Sequence, residues 1–359
     1  MNDFPLADQT PTDQITGVKR LSVMLVAIVF CFTSATIASA QNDQVFTDGT
    51  AKSQRGTVAA VTKNGIQLKV GANSKDILAG DIDKILYQGD PSELIKGREF
   101  ALDGQYDQAL EELEKIDIDS LKRDEAKADA AFYIMLCKAK MALAGRGDKT
   151  EAVKSAMGFA QQNGDSWHFY DSAKLLGDLA LAMNNPTQAA RFYGSLRNAP
   201  TTETKINSVY LGGMTLLAQD KHAEAMAEFD KIINVKAATP GAVRLQTLSK
   251  AGKAVALAKS DKAAEGLALV SSLIEELNPT DVEMAARIYN AQGDSYAASG
   301  DTEGAILAYL HTHLMFSTEP GAHAEALSKL VQLWPKVGKP ERAAEARQEL
   351  QNRYPGYGQ

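Results

Sequence analysis

Residues 173–193 read AKLLGDLALAMNNPTQAARFY, and this stretch decides the fold. Apolar and small residues recur before Asn184 at the three- and four-residue spacing of one helix face, and they do so again after it. Asparagine tolerates the backbone conformation of a tight turn. The stretch therefore predicts two helices that reverse direction at Asn184 and pack against each other.

The same pattern recurs through residues 92–359. One alanine per unit can be aligned at intervals of 36 to 43 residues, at Ala109, Ala152, Ala189, Ala225, Ala264, Ala305 and Ala343. Twelve residues earlier, glycine occupies five of the seven units, at Gly97, Gly177, Gly213, Gly252 and Gly293. Five residues earlier stand Gly104, Gly147, Asn184, Asp220, Lys259, Gly300 and Gly338, and all but Lys259 suit a tight turn. A single hairpin cannot bury its faces alone, so the offsets predict about seven stacked helical hairpins.

Two units fit this alignment less well than the others. The unit around Ala152 could be a plain helical hairpin, and the unit around Ala264 could be shifted by one or two residues. The last unit has Arg347 where the others have an apolar or small residue, which suits a capping helix with a solvated outer face.

The pattern resembles the tetratricopeptide repeat family over roughly residues 92–355. The residues that carry the resemblance are Leu176-Gly177 with Ala189 and Tyr193, Gly104-Gln105-Tyr106 with Ala109, and Gly293 and Tyr296 with Gly300, Ala305 and Tyr309. The intervals exceed the family's period of about 34 residues, so we expect lengthened helices or linkers. The resemblance implies a mostly α-helical, non-enzymatic solenoid that binds a protein or peptide on the concave face made by the first helix of each unit.

The resemblance also implies which side chains face that groove. They are Lys174, Asp178, Asn207, Tyr210, Met214, Gln246, Lys253, Arg287, Asn290 and Asp294, with Asp171 and Ser249 at equivalent positions. Their mixture of charged, polar, aromatic and methionine side chains is compatible with a peptide-binding groove, although an idle solvated face would have the same composition. The family's carboxylate clamp needs a basic residue followed four positions later by asparagine. Because Asp178 follows Lys174 here, recognition of a C-terminal carboxylate is disfavoured.

Residues 42–90 have a different period and predict a small β module. The segments 56–62 and 66–70 are short, alternating and rich in β-branched residues, and Lys63-Asn64-Gly65 separates them. This indicates a hairpin, with Asn-Gly in a type I′ turn. Residues 82–87 are expected to form a further strand, and Val45-Phe46 an edge strand. The module resembles a small SH3-like or Sm-like barrel; it could be a structural cap or a ligand-binding module.

Residues 1–40 are predicted to be a signal peptide. Lys19 and Arg20 precede an apolar run over 21–32, and Ala38-Ser39-Ala40 forms an A-x-A cleavage site. The run is shorter than the ~20 residues needed to span a bilayer. We therefore expect an extracytoplasmic protein, periplasmic or secreted, with no integral membrane segment after cleavage. Cys137 would then be the single cysteine, and its apolar neighbours indicate a buried residue.

Composition and motifs exclude several functions. The formal net charge is -7 without basic clusters, which argues against nucleic-acid binding. No catalytic, phosphate-binding or cofactor motif occurs, so neither an active site nor a cofactor is predicted. His311 and His313 stand two residues apart, which turns their side chains to different sides of a helix, and no metal site is predicted there. His323 would complete a site only if the fold happened to bring it close.

One alternative function rests on aromatic residues. Trp167-His168-Phe169-Tyr170 could be a stacking platform for a carbohydrate or cell-wall polymer, or it could be buried against the preceding repeat. A hydrolase with an unrecognised site is a third hypothesis.

Overall fold

The computed structural model describes residues 42–47, 50 and 52–357. The predicted signal peptide lies outside the described residues. The chain begins with a five-stranded antiparallel sheet in the order β4-β3-β2-β1-β5. The strands are β1 (Asp43–Thr47), β2 (Gln54–Thr62), β3 (Gly65–Val70), β4 (Asn73–Leu78) and β5 (Ile82–Leu86).

Two details of the sheet differ from the sequence prediction. Val45-Phe46 belong to β1, which pairs with both β2 and β5 and is therefore not an edge strand. The edge strand β4 was not predicted, because only Ile77 of its six side chains is buried and no alternation marks it. The barrel subtype stays a prediction.

The hairpin between β2 and β3 is confirmed, but its turn is not the predicted one. Thr62 pairs with Gly65, so Lys63 and Asn64 occupy the turn, and neither has a positive φ. Gly65 instead begins β3 with a φ of 145°, and a Cβ there would overlap the carbonyl oxygen of Ile77. Glycine is required here by the close approach of β4 rather than by turn geometry.

The described residues after the sheet form fourteen α-helices in seven consecutive antiparallel pairs, which confirms the predicted array. The helices are α1 (Ser92–Leu102), α2 (Tyr106–Leu113), α3 (Asp124–Leu143), α4 (Lys149–Gln162), α5 (Phe169–Ala182), α6 (Pro186–Ser195), α7 (Thr202–Leu217), α8 (His222–Ile233), α9 (Pro240–Ala258), α10 (Ala263–Glu275), α11 (Val282–Ser299), α12 (Thr302–Met315), α13 (Pro320–Leu333) and α14 (Pro340–Arg353). Helices that follow one another in the chain pack together, so the core runs along the array.

Four of the five repeated glycines lie where the two helices of one pair touch, whereas Gly252 meets Phe229 of the preceding pair. A Cβ on Gly177 would overlap the ring of Tyr193, and a Cβ on Gly293 would overlap the ring of Tyr309. Gly213 has the same relation to Phe229. In each case the partner lies sixteen residues later in the chain. The same arrangement thus recurs in these three pairs. The glycine has no side chain, and this leaves room for the large ring of its partner.

The turns between paired helices follow the prediction in five units and differ in two. Positive φ angles occur at the predicted residues Gly104, Asn184, Asp220, Gly300 and Gly338. The second and fifth units use Gly145 and Asp261 instead of Gly147 and Lys259. In the fifth unit α10 begins two residues after the turn residue Asp261, the same interval as in the five units that follow the prediction. The repeat positions of this unit are therefore displaced by two residues. Gly266 therefore replaces Ala264 at the repeat position.

The sheet packs directly on the helices. The buried carboxylate of Asp43 in β1 accepts hydrogen bonds from the backbone of Val58 and from Arg123 before α3, at 2.7 Å each. The Tyr170 hydroxyl of α5 lies 3.1 Å from Asn64 Oδ1 in the β2–β3 turn and donates to the Asn198 carbonyl at 2.8 Å. No helix in the described ranges is both long and apolar enough to cross a membrane.

Candidate partner-binding surface

The first helices of pairs two to seven direct polar side chains towards a shared region, which we call the inner surface. It comprises Lys140, Lys174, Asp178, Tyr210, Arg244, Glu283, Arg287, Asn290, Asp294, Glu319 and Glu325. These residues are distant in sequence, yet the charge of one affects the pKa of another. Burial raises the pKa of Glu319; Arg287 and Lys140 act to lower it, and Glu283 acts to raise it further. The side chains of α3, α11 and the start of α13 are therefore close neighbours.

On α5 the predicted pair Lys174 and Asp178 is brought together. Lys174 Nζ donates to Asp178 Oδ2 at 2.9 Å, and the hydroxyl of Tyr193 donates to Asp178 Oδ1 at 2.7 Å. Burial alone would raise the pKa of Asp178, but Lys174, Lys140 and the hydrogen bond from Tyr193 together outweigh it, and the pKa is lowered. The carboxylate is thus ionised and held in place, while Lys174 keeps 39% of its side chain exposed.

On α7 the residues Asn207, Tyr210 and Met214 differ in exposure. Tyr210 is buried, and its hydroxyl has no hydrogen-bond partner among the described residues. Burial raises the pKa of Tyr210 to about 12, with Arg287 opposing and Glu283 reinforcing the shift. Asn207 and Met214 are half-buried, and Asn207 lines a cavity of about 80 Å³ beside Lys174. Tyr210 is therefore the side chain of α7 whose pKa responds to the charged residues of α11.

On α11 the residues Arg287, Asn290 and Asp294 lie on one helical face. Arg287 is 3.9 Å from Glu283 and 3.8 Å from Glu319, which is too long for a hydrogen bond. Its Nε is buried and has no hydrogen-bond partner within the part of the chain that the structure describes. Burial acts to lower the pKa of Arg287, but Tyr210, Glu283 and Glu319 raise it, so the guanidinium stays charged.

Asn290 and Asp294 are mostly buried but incompletely satisfied. Asn290 donates to the carbonyl of Ala322 at 2.9 Å, and Asp294 accepts from Tyr309 at 2.7 Å and Lys329 at 2.9 Å. Asn290 Oδ1 and Asp294 Oδ2 nevertheless have no partner in the described part of the chain. Most buried polar groups in proteins are paired, so the unpartnered atoms on α7 and α11 form an unusual concentration.

Gln246 and Lys253 do not have the role that the resemblance implied. Gln246 donates to the carbonyl of Ile232 at 3.1 Å and so caps the end of α8, and Lys253 pairs with Asp230 of α8 at 2.7 Å. Ser249 is buried and donates to its own helix. The two-residue displacement of the fifth unit explains this, because it moves the groove-facing positions to other residues. Those residues are the apolar Leu248, Ala251 and Val255.

Five members of the inner surface escaped the sequence prediction, namely Lys140, Arg244, Glu283, Glu319 and Glu325. Arg244 on α9 donates to Asp281 at 2.5 Å and to Glu283 at 2.8 Å, and its charge acts on Tyr210. The hydrogen bonds that Arg244 donates to Asp281 outweigh burial and raise the pKa of Arg244. Arg244 escaped the prediction because it lies outside the three offsets that the family pattern supplies, in the predicted register and in the displaced one.

The aromatic cluster is part of the core. Trp167 is 4% exposed and His168 is 1% exposed. The His168 ring stacks on Phe132 of the preceding pair with centroids 3.6 Å apart. The cluster is therefore the buried contact between repeats, and it offers no exposed Trp167 face on which a sugar could stack.

Comparisons with known proteins give matches in structure only. No protein-family model and no curated protein matches the chain. A tetratricopeptide repeat protein from Parabacteroides merdae superposes with a TM-score of 0.50 and 17% identity, covering 74% of this chain and 93% of that one. The fold is that of a tetratricopeptide repeat protein.

Two further solved structures were matched with lower scores. A MamA RS-1 ArsTM double mutant gives a TM-score of 0.29 at 18% identity over 57% of this chain and 93% of that one. The tetratricopeptide repeat domain of P58(IPK) gives 0.26 at 13% identity over 72% of each chain.

Proposed function

We propose that this tetratricopeptide-repeat chain is a non-enzymatic scaffold that binds an extended polar segment of another protein on the inner surface, outside the cytoplasm. The observation that carries the proposal is a set of buried polar atoms on α7 and α11 that have no hydrogen-bond partner among the described residues. They are Tyr210 Oη, Arg287 Nε, Asn290 Oδ1 and Asp294 Oδ2.

These atoms match the chemistry of a peptide. Arg287 Nε is a donor, Asn290 Oδ1 and Asp294 Oδ2 are acceptors, and the Tyr210 hydroxyl is both. An extended peptide supplies backbone carbonyls and N–H groups along one line, so it can satisfy donors and acceptors together. Leaving such atoms unpaired costs about 1–3 kcal/mol each, and a ligand that pairs them recovers part of that cost.

The charges of the inner surface favour a partner segment that carries a basic group as well as an acidic or carbonyl group. Burial, reinforced by Asp294, raises the pKa of Glu325. A basic group of the partner beside this carboxylate would favour its ionised form. Arg287 provides the complementary position for an acidic or carbonyl group.

The binding experiment compares variants of the mature chain against a displayed library of random peptides. We expect wild-type protein to select peptides whose affinity, measured by fluorescence polarisation, falls about tenfold or more in Arg287→Gln, and also falls in Tyr210→Phe. Lys253→Gln is the matched control, because its charge is paired with Asp230 of α8. Equal affinity in all variants, or an equal loss in the control, would contradict the proposal.

The proposed location rests on the basic, apolar and A-x-A segments of residues 19–40. Cell fractionation and intact-mass measurement in the native host test it. A mature chain that begins at Gln41 in the extracytoplasmic fraction is expected. A full-length chain confined to the cytoplasm would refute the location without touching the peptide-binding proposal.

A further inference from the structure

Three side chains with metal-ligating atoms converge at the C-terminal end of the array. His313 comes from α12, His323 from α13 and Glu349 from α14. One ligand atom from each lies within 4.8 Å of the others. The cluster is separate from the inner surface residues that carry the proposed peptide binding.

The two imidazoles face each other through a hydrogen bond, which a common ion would replace. His313 Nδ1 lies 2.9 Å from His323 Nε2, and the ring planes differ by 4°. Glu349 lies 3.8 Å from His313 Nε2 and 3.9 Å from His323 Nε2. In neutral imidazoles one of the two facing nitrogens must carry a proton, and a metal ion would take the place of that shared proton.

The surroundings hold the His323 ring in place. Its second ring nitrogen, Nδ1, lies 2.8 Å from the hydroxyl of Tyr354, which fixes the ring orientation as an outer partner does for many metal-bound histidines. Arg353 donates to Glu349 at 3.3 Å and restrains that carboxylate.

The cluster is accessible from one side. His323 is fully buried, whereas the side chains of His313 and Glu349 are 22% and 36% exposed. An ion can therefore reach the three ligands from solvent, and a water molecule can complete its coordination. His311, two residues from His313, instead stacks on Tyr289 at 4.5 Å and takes no part.

We propose that His313, His323 and Glu349 bind one divalent transition-metal ion and that the ion ties α12, α13 and α14 together. Two imidazoles with one carboxylate suit Zn²⁺, which accepts nitrogen and oxygen ligands in tetrahedral geometry. The ion joins residues from three successive helices, so its effect is a more stable C-terminal end of the array.

Zn²⁺ and Co²⁺ are the probes for this site, used with untagged mature protein. Calorimetric titration is expected to give about one equivalent of Zn²⁺ per chain, and Zn²⁺ is expected to raise the melting temperature. Bound Co²⁺ is expected to show the visible absorption of a low-symmetry, four- or five-coordinate ion. Affinity should fall at least tenfold in His313→Ala and in Glu349→Gln, because each removes a ligand.

The matched control is His311→Ala, which removes a histidine from the same helix outside the cluster. His323→Gln is accompanied by circular dichroism because His323 is buried. Wild-type binding no tighter than that of His313→Ala, or an equal loss in His311→Ala, would overturn the proposal. Peptide binding is measured in the same variants, and it should be retained even where Zn²⁺ binding is lost.

Discussion

At the scale of single residues, a buried ionic cluster joins the sheet connection to the first repeats. Arg98 of α1 is fully buried and donates to Asp129 of α3 at 2.8 and 2.6 Å. The same Arg98 donates to Asp90 at 3.0 Å, and His168 lies 2.9 Å from Asp129. Removing one partner of such a cluster leaves a charge buried and uncompensated, so each member is needed by the others.

We expect Asp129→Asn to lower the free energy of unfolding by about 3–5 kcal/mol, measured by urea denaturation. The matched control is Asp124→Asn on the same helix, whose side chain is 95% exposed and whose loss should cost under about 1 kcal/mol. Equal effects of the two substitutions would contradict the importance of the cluster.

The effect of Asp129 should depend on pH. Burial acts to raise the pKa of Asp129, but Arg98 and then His168 outweigh it, so the pKa is lower in the folded chain than in the unfolded chain. The stabilising contribution is therefore present above the unfolded value of about 4 and is lost as the pH falls through the folded value. The difference in stability between wild type and Asp129→Asn should shrink below about pH 4.

At the scale of helix pairs, the importance of a glycine for packing depends on whether it lies against an aromatic ring. Gly212 and Gly213 are neighbours in α7, but a Cβ on Gly213 would overlap Phe229, whereas a Cβ on Gly212 would meet nothing within 4 Å. Phe229 also contacts Gly252 of the next pair. The ring is thus held between two glycines, which explains why the fifth unit has a glycine although its register is displaced.

We expect Gly213→Ala to destabilise the protein by about 1–3 kcal/mol, because Phe229 must move. Gly212→Ala should instead stabilise it by about 0.5–1 kcal/mol, because alanine favours the helix and fits the space. Thermal and urea denaturation of the two variants provide the comparison. If Gly213→Ala and Gly212→Ala both lowered the stability, contact with Phe229 would not explain why these positions are glycine.

At the scale of the whole described chain, the C-terminal turn reaches back to the loop between α3 and α4. Lys149 Nζ donates to the carbonyl of Pro355 at 2.9 Å, and a Cβ on Gly145 would overlap the carbonyl of Arg353. The two segments are more than two hundred residues apart in sequence. The array is therefore curved strongly enough for its last repeat to touch its second, and this brings α11 and α13 opposite α5 and α7.

We expect Gly145→Ala to separate these segments, because Gly145 has a φ of 76° and its space is filled by backbone. Hydrogen exchange in residues 145–149 and 353–357 should rise, and the radius of gyration from X-ray scattering should increase. Gly104→Ala is the matched control, since Gly104 has a φ of 75° but no neighbour within 4 Å. If Gly104→Ala raises hydrogen exchange in these residues as much as Gly145→Ala does, the strain of a positive φ alone would account for the result.

The sequence by itself determined the elements that local physics controls. Helix periodicity, turn-forming residues and glycines at constant offsets were sufficient for seven helix pairs and for five of their seven turns, and alternation was sufficient for four of the five strands. They failed where a local signal was weak, as in β4, or where Asp261 rather than Lys259 adopted the positive φ. That displacement carried Gln246 and Lys253 away from their predicted place.

Only the tertiary structure decided which side chains meet. The convergence of Tyr210 with Arg287, the cluster around Asp129, and the approach of His323 to His313 all join residues from different helices. Such encounters depend on the curvature that accumulates over many repeats and on the packing of the sheet against the helices. Periodicity within one segment contains no information about either, because it is set by the backbone geometry of a few neighbouring residues.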